Sequence, residues 1–425
     1  MLDIRRLRED PEAFKQGALK KHFPDRADAV DRAVAADADL RALTPEIDGL
    51  RNQQKTAAKS NLGAMSEDER ATHIAAQKAL KTQIQELEQK ERDLRSKVHD
   101  ELLLVPNLPD PDVPEGKDDE SNVEVRQVGD PTPAPSWLKA HDDLAHERGW
   151  LDTERAVEMA GSRNYMLLGD LALLHDAVLR LALEHMVGKD FVPVDPPLLV
   201  RDQVMTGTGF FPGGEEQTYR IPEDGLNLIG TAEVPVTSIH AGEILQESEL
   251  PKRYVARSAC FRREAGTYGK DTKGLYRVHQ FQKVEQVIVD IADEDRSKQH
   301  HEAITKNSEE VLQALELPYR VVAVCGGDLG VPQAFKYDIE CWMPSRGAYG
   351  ETHSASRFYD YQARRLGIRY RTEQQKKPMV CHTLNNTVIA SPRILIPLLE
   401  VHQQQDGTVR VPAALQPYLG GRTSL

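Results

Sequence analysis

Two stretches of this chain carry bulky residues at alternating steps of three and four, and a chain so marked has few ways to fold. Leu40, Leu43, Ile47, Leu50, Gln54 and Ala57 step 3-4-3-4-3; His73, Gln77, Leu80, Ile84, Leu87, Glu91, Leu94 and Val98 step 4-3-4-3-4-3-4. Such a repeat keeps one stripe of a helix turned toward a partner, as in a coiled coil. Between the two runs, Asn61–Ser66 holds Gly63, and Ser66 precedes Glu67 to Arg70 as a helix cap and first turn. The spacing predicts two long helices over about residues 26–105, folded back as an antiparallel hairpin. At about 1.5 Å per residue this arm projects several tens of ångströms.

On the first helix, Arg51, Lys55 and Lys59 fall at i, i+4 and i+8 and make one face basic. A basic stripe alone is equally the solvated face of an ordinary helix. On a long projecting arm the same stripe points toward phosphate binding. The formal net charge of −13 argues against a protein that coats RNA with its whole surface. A local stripe escapes that argument, because salt confines surface fields to about 10 Å.

Residues 106–136 are rich in proline and acid, as in Pro106-Asn-Leu-Pro-Asp-Pro-Asp-Val-Pro114, and read as a linker. The expected division is an arm domain at 1–105, a linker at 106–136 and a second domain at 137–425. In the second domain Tyr254–Glu264, Gln280–Asp290, Arg320–Cys325, Ala334–Met343 and Val380–Ala390 are strand-like. The first two flank the glycine-containing loop Ala265–Gly274 and should pair antiparallel. Ser391–Gln403 reads as a helix with Ser391 as cap and Pro392 at its first position. No G-x-G-x-x-G opens a helix after a strand, so a nucleotide-binding parallel sheet is not indicated. The fold class is α+β.

Cys260, Cys325, Cys341 and Cys381 form no CxxC pair. They read as small buried residues, and no zinc is expected. No apolar run approaches the roughly 20 residues of a membrane helix, and Met1–Pro11 has no apolar secretory core. The expectation is a cytoplasmic protein without a membrane partner.

Strand alternation puts Arg262 with Glu264 on one face, Phe281 with Lys283 and Glu285 on another, and Asn385 with Thr387 on a third. An arginine fork suits phosphate or carboxylate, and an aromatic ring can stack on a base. A glutamate or threonine can hold a hydroxyl or an ammonium. Each residue alone also fits an ordinary sheet surface.

Together their surroundings resemble the seryl-tRNA synthetases of bacterial type. The resemblance rests on Thr206-Gly-Thr-Gly209, Thr231-Ala-Glu-Val234, Cys260-Phe-Arg-Arg-Glu-Ala-Gly266, Asp271-Thr-Lys-Gly274, His279-Gln-Phe281, Lys283-Val-Glu285, Glu351 with Ser354, Thr383-Leu-Asn385 and Arg393. Asp195–Val200 is similar to the family's motif 1, Arg262–Glu285 to motif 2 and Thr383–Arg393 to motif 3. These segments occur in the family's order along nearly the whole chain. The resemblance implies a class II synthetase: a helical arm followed by an antiparallel sheet with flanking helices, working as a homodimer. It implies ATP-dependent activation of L-serine with Mg²⁺ and transfer to serine tRNA, with selenocysteine tRNA as a further acceptor.

The resemblance also implies roles. Thr231, Ala232, Glu233, Glu285, Asn385 and Thr387 match the serine pocket. Arg262 matches the clamp on the substrate carboxylate and α-phosphate. Glu264 and Phe281 match the adenine side, Glu351 and Ser354 the ATP phosphates, and Arg263, Thr352 and His353 further ATP-binding positions. Glu351 and Ser354 match the metal contacts, Arg393 the arginine on the ATP tail, and Arg51, Lys55 and Lys59 the tRNA contacts.

Some positions depart from the family. His353 and Arg357 stand where small polar residues are usual; Asn386, Val388 and Pro392 stand where glycines are. Gly230 replaces a common proline, and Phe210-Phe-Pro-Gly213 is altered. Loss of two glycines changes freedom or space beside the pocket, and His353, two residues from Glu351, is either an ordinary satisfied histidine on a strand or a group facing the metal side. These changes suggest a specialised copy, of the kind that tolerates inhibitors or supplies seryl-tRNA to biosynthesis. An RNA-binding paralogue without catalysis is the first alternative, disfavoured by intact Arg262, Glu264, Glu285 and Arg393. A ligase that loads a carrier protein is the second, disfavoured by the full arm.

Overall fold

The computed structural model describes residues 2–59, 66–266, 274–375 and 377–425. They form two compact units, Met1–Leu108 and Pro109–Leu425.

In the first unit, α1 (Ile4–Glu9) and α2 (Pro11–Lys20) lead into α3 (Pro24–Ala57) and α4 (Glu67–Leu104). The two long helices are about 51 and 57 Å in length and pack on each other. Every seam residue named above is buried or half-buried, and nearly all its neighbours in sequence are exposed. Leu43, Ile47, Ile84 and Val98 are the fully buried ones. Toward the tip the seam changes to Gln54, Ala57, His73 and Gln77, which are only half-buried. The base is sealed differently, by the small residues Ala29, Ala33 and Ala36 beside Val30, with Arg8 bonded to Asp37 at 2.7 Å. Ser66 starts α4 with a capping box: its Oγ accepts from Glu69 N, and its own N–H donates to the Glu69 carboxylate. The rest of the expected break, Asn61–Met65, lies outside the described residues.

The second unit is built on one eight-stranded sheet. In chain order its strands are β1 (Val123–Val128), β2 (Val192–Val194), β3 (Lys252–Phe261), β4 (Gln280–Asp290), β5 (Tyr319–Ala323), β6 (Phe335–Met343), β7 (Ala348–Tyr359) and β8 (His382–Ser391). Their order across the sheet is β1-β5-β6-β7-β8-β4-β3-β2. All pairs are antiparallel except β2 with β3. One face carries α5 (Gly169–Val187) and the C-terminal helix Leu395–Val401, whose Leu171, Val178, Leu395 and Leu398 share a core with Ile288 and Val388 of the sheet. The long helix Glu294–Ala314 also packs on this sheet, and Ser308 donates to the Thr387 carbonyl at 2.9 Å.

Four sequence expectations change. The 106–136 stretch is no free tether, because β1 lies inside it and completes the sheet edge against β5. Its prolines hid that strand. Asp110 of the same stretch pairs with buried Arg357 and accepts from Tyr359 Oη at 3.1 Å. The twelve-residue β7 was not foreseen, since its serines, histidine and glycine break the usual β-branched signal. The last helix begins at Leu395, not at Pro392: Ser391 closes β8, and a turn through Pro392 and Arg393 precedes the helix. Arg262 and Glu264 lie beyond the end of β3, in a loop, so they do not share a strand face.

Candidate active site

The floor of the site comes from the middle of the sheet. β4 and β8 pair so that Glu285 sits opposite Thr387, and a bulge between Val284 and Glu285 adjusts the register there. Alternation then turns Lys283 and Glu285 of β4, and Asn385 and Thr387 of β8, toward one cavity of about 540 Å³. Lys283 Nζ is 2.6 Å from Glu285 Oε2, and Thr387 Oγ1 donates to the same oxygen at 3.4 Å. Both members of this ion pair are buried, a costly arrangement unless the pocket itself uses the charges.

One wall is the turn that enters the short helix α6 (Glu233–Thr237). Thr231 Oγ1 accepts from Glu233 N at 3.1 Å, which holds the turn closed. Burial, and then the neighbouring Glu285 carboxylate, push the Glu233 carboxyl up to about 7. A hydrogen bond from Gln362 at 2.7 Å, the charge of Lys283 and Asn385 pull the other way.

The opposite end is cationic and aromatic. Arg262 N donates to the His279 carbonyl at 2.9 Å, and His279 Nδ1 lies 2.9 Å from the Arg262 carbonyl, so the backbone of the clamp is held on both sides. The Arg262 guanidinium lies over the Phe281 ring at 5.2 Å, and its Nε donates to the Gly230 carbonyl at 3.3 Å. Arg393 donates to the carbonyls of Tyr276 and Glu351, at 3.1 and 3.0 Å, and its guanidinium covers the Tyr276 ring at 4.4 Å. Glu351 faces these charges with a side chain 47% exposed. Burial acts to raise its carboxyl, but Arg393, Lys336, Arg262 and Arg277 outweigh it, and the net shift is downward. Glu351 is therefore an anion across the neutral range.

The cavity thus gathers Thr231, Glu233, Arg262, Glu264, Phe281, Glu285, Glu351, Thr352, His353, Ser354, Asn385, Thr387 and Arg393. Two of the residues named for the serine and ATP sites lie elsewhere. Ala232 is buried against Val236, Ala256 and Val287, behind the wall. Arg263 is exposed, its N–H donating to the Gln217 carbonyl. The lining also includes Tyr276 and Arg277, which lie inside the motif 2 span without having been singled out, and Gln333, which no motif indicated. Arg277 Nη1 lies 3.3 Å from Glu264 Oε2, at the end of the cavity that holds Phe281. Of Asp271-Thr-Lys-Gly274, only Gly274 is among the described residues.

Residues 1–109 match the Seryl-tRNA synthetase N-terminal domain, and residues 218–402 match the tRNA synthetase class II core domain (G, H, P, S and T). The chain is 45% identical to the serine–tRNA ligase of Deinococcus radiodurans, over 100% of this chain and 99% of that one. It belongs to the seryl-tRNA synthetase family. The seryl-tRNA synthetase of Pyrococcus horikoshii, solved in complex with ATP, superimposes with a TM-score of 0.94 at 40% identity, covering 100% of this chain and 99% of that chain. The cytoplasmic serine–tRNA ligase of Naegleria fowleri, solved with AMP, gives 0.88 at 31% identity, covering 100% and 98%.

Within the seryl-tRNA synthetase fold, the unusual residues divide: Phe210, Gly230, His353 and Pro392 line the cavity, while Arg357, Asn386 and Val388 do not. Asn386 and Val388 alternate with Asn385 and Thr387, so they point to the other side of β8. Asn386 Nδ2 donates to the Ile304 carbonyl and to Ser308 Oγ, and Val388 is in the core. The expected change of space beside the pocket does not arise at these two positions. Arg357 binds Asp110 and lies over Phe335 and Tyr359. His353 does line the cavity wall; burial pulls its ring down to about 3, so it is a neutral imidazole beside Thr352 Oγ1 at 2.7 Å.

Proposed function

We propose that this chain is a serine–tRNA ligase that activates L-serine with ATP and transfers it to the 3′ end of serine tRNA. The observation that carries this reading is the convergence of Glu233, Glu285, Arg262, Arg393 and the Phe281 ring on one cavity in a seryl-tRNA synthetase fold. The serine carboxylate attacks the α-phosphate of ATP, and pyrophosphate leaves. A ribose hydroxyl of the tRNA end then takes the seryl group from the adenylate. No side-chain nucleophile is needed, so catalysis is positioning and charge neutralisation.

In this reading Thr231, Glu233, Glu285, Asn385 and Thr387 surround the amino acid. Arg262 bridges its carboxylate and the α-phosphate. Phe281 stacks on the adenine, with Glu264 and Arg277 at its edge, and Arg393 meets the phosphate tail. Magnesium fits beside Glu351 and Ser354, an ionised carboxylate and a hydroxyl at the cavity wall. Among the described residues no three His, Cys, Asp or Glu side chains converge on one point, so most of its ligands would be phosphate oxygens and water. When bound, the ion offsets the negative charge of the phosphates.

Amino-acid-dependent pyrophosphate exchange tests the reading. Exchange is expected with serine and to be far weaker with threonine or alanine. A site built to bond a hydroxyl can reject the analogue that lacks it by roughly 10⁴–10⁵. Equal exchange with alanine or threonine overturns the serine assignment.

A homodimer belongs to the same proposal. Leu199 lies in the stretch that resembles motif 1 and Val192 just before it, and with Leu168, Leu173 and Val187 of the preceding segment they are all 40% or more exposed. Exposed apolar side chains beside the family's motif 1 favour an interface there. Sedimentation should give twice the 47.6 kDa chain mass; a monomer at micromolar concentration removes the dimer from the reading. Among the described residues no helix is long and apolar enough to cross a membrane. The cytoplasm, where tRNA and ATP are at hand, is the location proposed.

A further inference from the structure

Three of the sequence motifs meet at a residue that belongs to none of them. Gln362 lies in the short helix Tyr361–Leu366 and is 1% exposed. Its amide nitrogen donates to the Thr208 carbonyl at 3.0 Å and to Glu233 Oε1 at 2.7 Å. Its amide oxygen accepts from Thr383 Oγ1 at 2.7 Å. Two acceptors on one side and a hydroxyl donor on the other fix which way the amide points. Thr208 belongs to Thr206–Gly209, Glu233 to Thr231–Val234, and Thr383 opens Thr383–Asn385. Gln362 itself does not line the cavity; Glu233 does.

We propose that Gln362 is the positioning residue of the amino-acid pocket, holding the Glu233 carboxylate in place as an anion to receive the cationic end of the substrate. This rests on the serine-activation reading above. The second carboxylate of the pocket, Glu285, is already engaged by Lys283 and Thr387. Glu233 is the group left to answer an incoming ammonium. The charged and polar groups facing it are Glu285 and Lys283 from β4, Asn385 from β8 and Gln362. Burial and the like charge of Glu285 work against its ionisation, so the anion needs a donor. An arginine or lysine at position 362 would supply one but would also neutralise the site and compete with the ammonium. A neutral amide supplies the hydrogen bond without the charge. Its second N–H and its oxygen are tied to the chain at Thr208 and Thr383, so the donor stands ready before substrate arrives.

Serine-dependent pyrophosphate exchange on the full-length protein tests this, with serine varied between pH 6 and 8 at saturating ATP. In the wild type, kcat/KM for serine should rise with pH through the range near 7, as Glu233 ionises. Gln362→Leu removes the donor. The serine KM should then rise roughly tenfold or more, with kcat changed less and the ATP KM within about twofold. The rising limb should also move to higher pH by about one unit, because the anion has lost a stabilising bond. Thr383→Val, which frees the amide to turn, should give a smaller change in the same direction, and Thr383→Ser should restore it. Should Gln362→Leu not fold, the threonine pair carries the same test. A wild type inactive with serine overturns the ligase reading itself. A wild type active with serine, beside folded variants with unaltered serine KM and pH limb, overturns only the positioning role. Serine and ATP KM rising together, with no shift of the limb, also overturns it, since that marks a general distortion.

Discussion

Arg262→Ala should abolish serine-dependent pyrophosphate exchange while leaving the protein folded. The guanidinium is exposed to the cavity and, among the described residues, makes little internal structure: one bond to the Gly230 carbonyl at 3.3 Å and a contact with the Phe281 ring. The pairing of its backbone with His279 survives truncation of the side chain. Exposed substitutions of this kind shift stability by about 0.5 kcal/mol or less. The catalytic loss is of another order. Removing one donor aimed at developing charge costs roughly a hundredfold to a thousandfold, and this donor is also a full charge that brings the two reactants together. Arg262→Lys should recover only part of the loss, because an ammonium keeps the charge but not the paired fork. Exchange assays beside thermal unfolding measure both halves. A folded Arg262→Ala enzyme with near-normal exchange would refute the clamp.

What the sequence disclosed depended on whether a residue's meaning is local or collective. The arm was legible because a coiled-coil seam is periodic, and each seam position from Leu40 to Val98 is at least half-buried. The strands β3, β4, β6 and β8 were legible from β-branched and aromatic residues. β1 was not, because the prolines around it speak for a linker and only its pairing with β5 makes it a strand. β7 was not, because a strand at the centre of an active-site sheet carries polar residues where pattern reading expects apolar ones.

At the site, the resemblance to a family supplied the residues and the fold supplied the reason they act together. Strand alternation had separated Phe281, Glu285, Asn385 and Thr387 into different faces, and strand pairing puts them on one. Gln362 shows the limit most clearly. A glutamine in a short helix has no local signature, and its partners at 208, 233 and 383 are far apart in sequence. The unusual Asn386 and Val388 show the converse. They looked like changes to the pocket because they stand beside Asn385 and Thr387, yet the period of two sends them to the opposite face.

Removing roughly residues 40–95, and joining the stump with a short linker, should abolish tRNA charging and leave adenylate formation within a few-fold of the parent. The excised residues bury their seam within the hairpin, Leu43 and Ile47 on one helix and Ile84 on the other. The stump keeps the alanine-rich base, the Arg8–Asp37 pair and the Arg32–Glu101 pair, so the first unit retains its own core. All cavity residues belong to the second unit. The subtler variant replaces Arg51, Lys55 and Lys59 with alanine. Arg51 is held across the hairpin by Glu88 at 2.8 Å, a solvent-screened surface pair that adds little to stability, so the arm survives its loss. The tRNA KM should rise while the KM values for serine and ATP hold. The dependence of charging on salt should flatten by roughly one logarithmic unit for each phosphate contact removed. Lys55 and Lys59 should account for most of that change, since Arg51 must leave Glu88 before it can meet a phosphate. An armless protein that charges tRNA as well as the parent would disprove the role of the arm. An armless protein that is folded but has lost pyrophosphate exchange would disprove the division of labour, and would mean that the first unit supports the chemistry of the second.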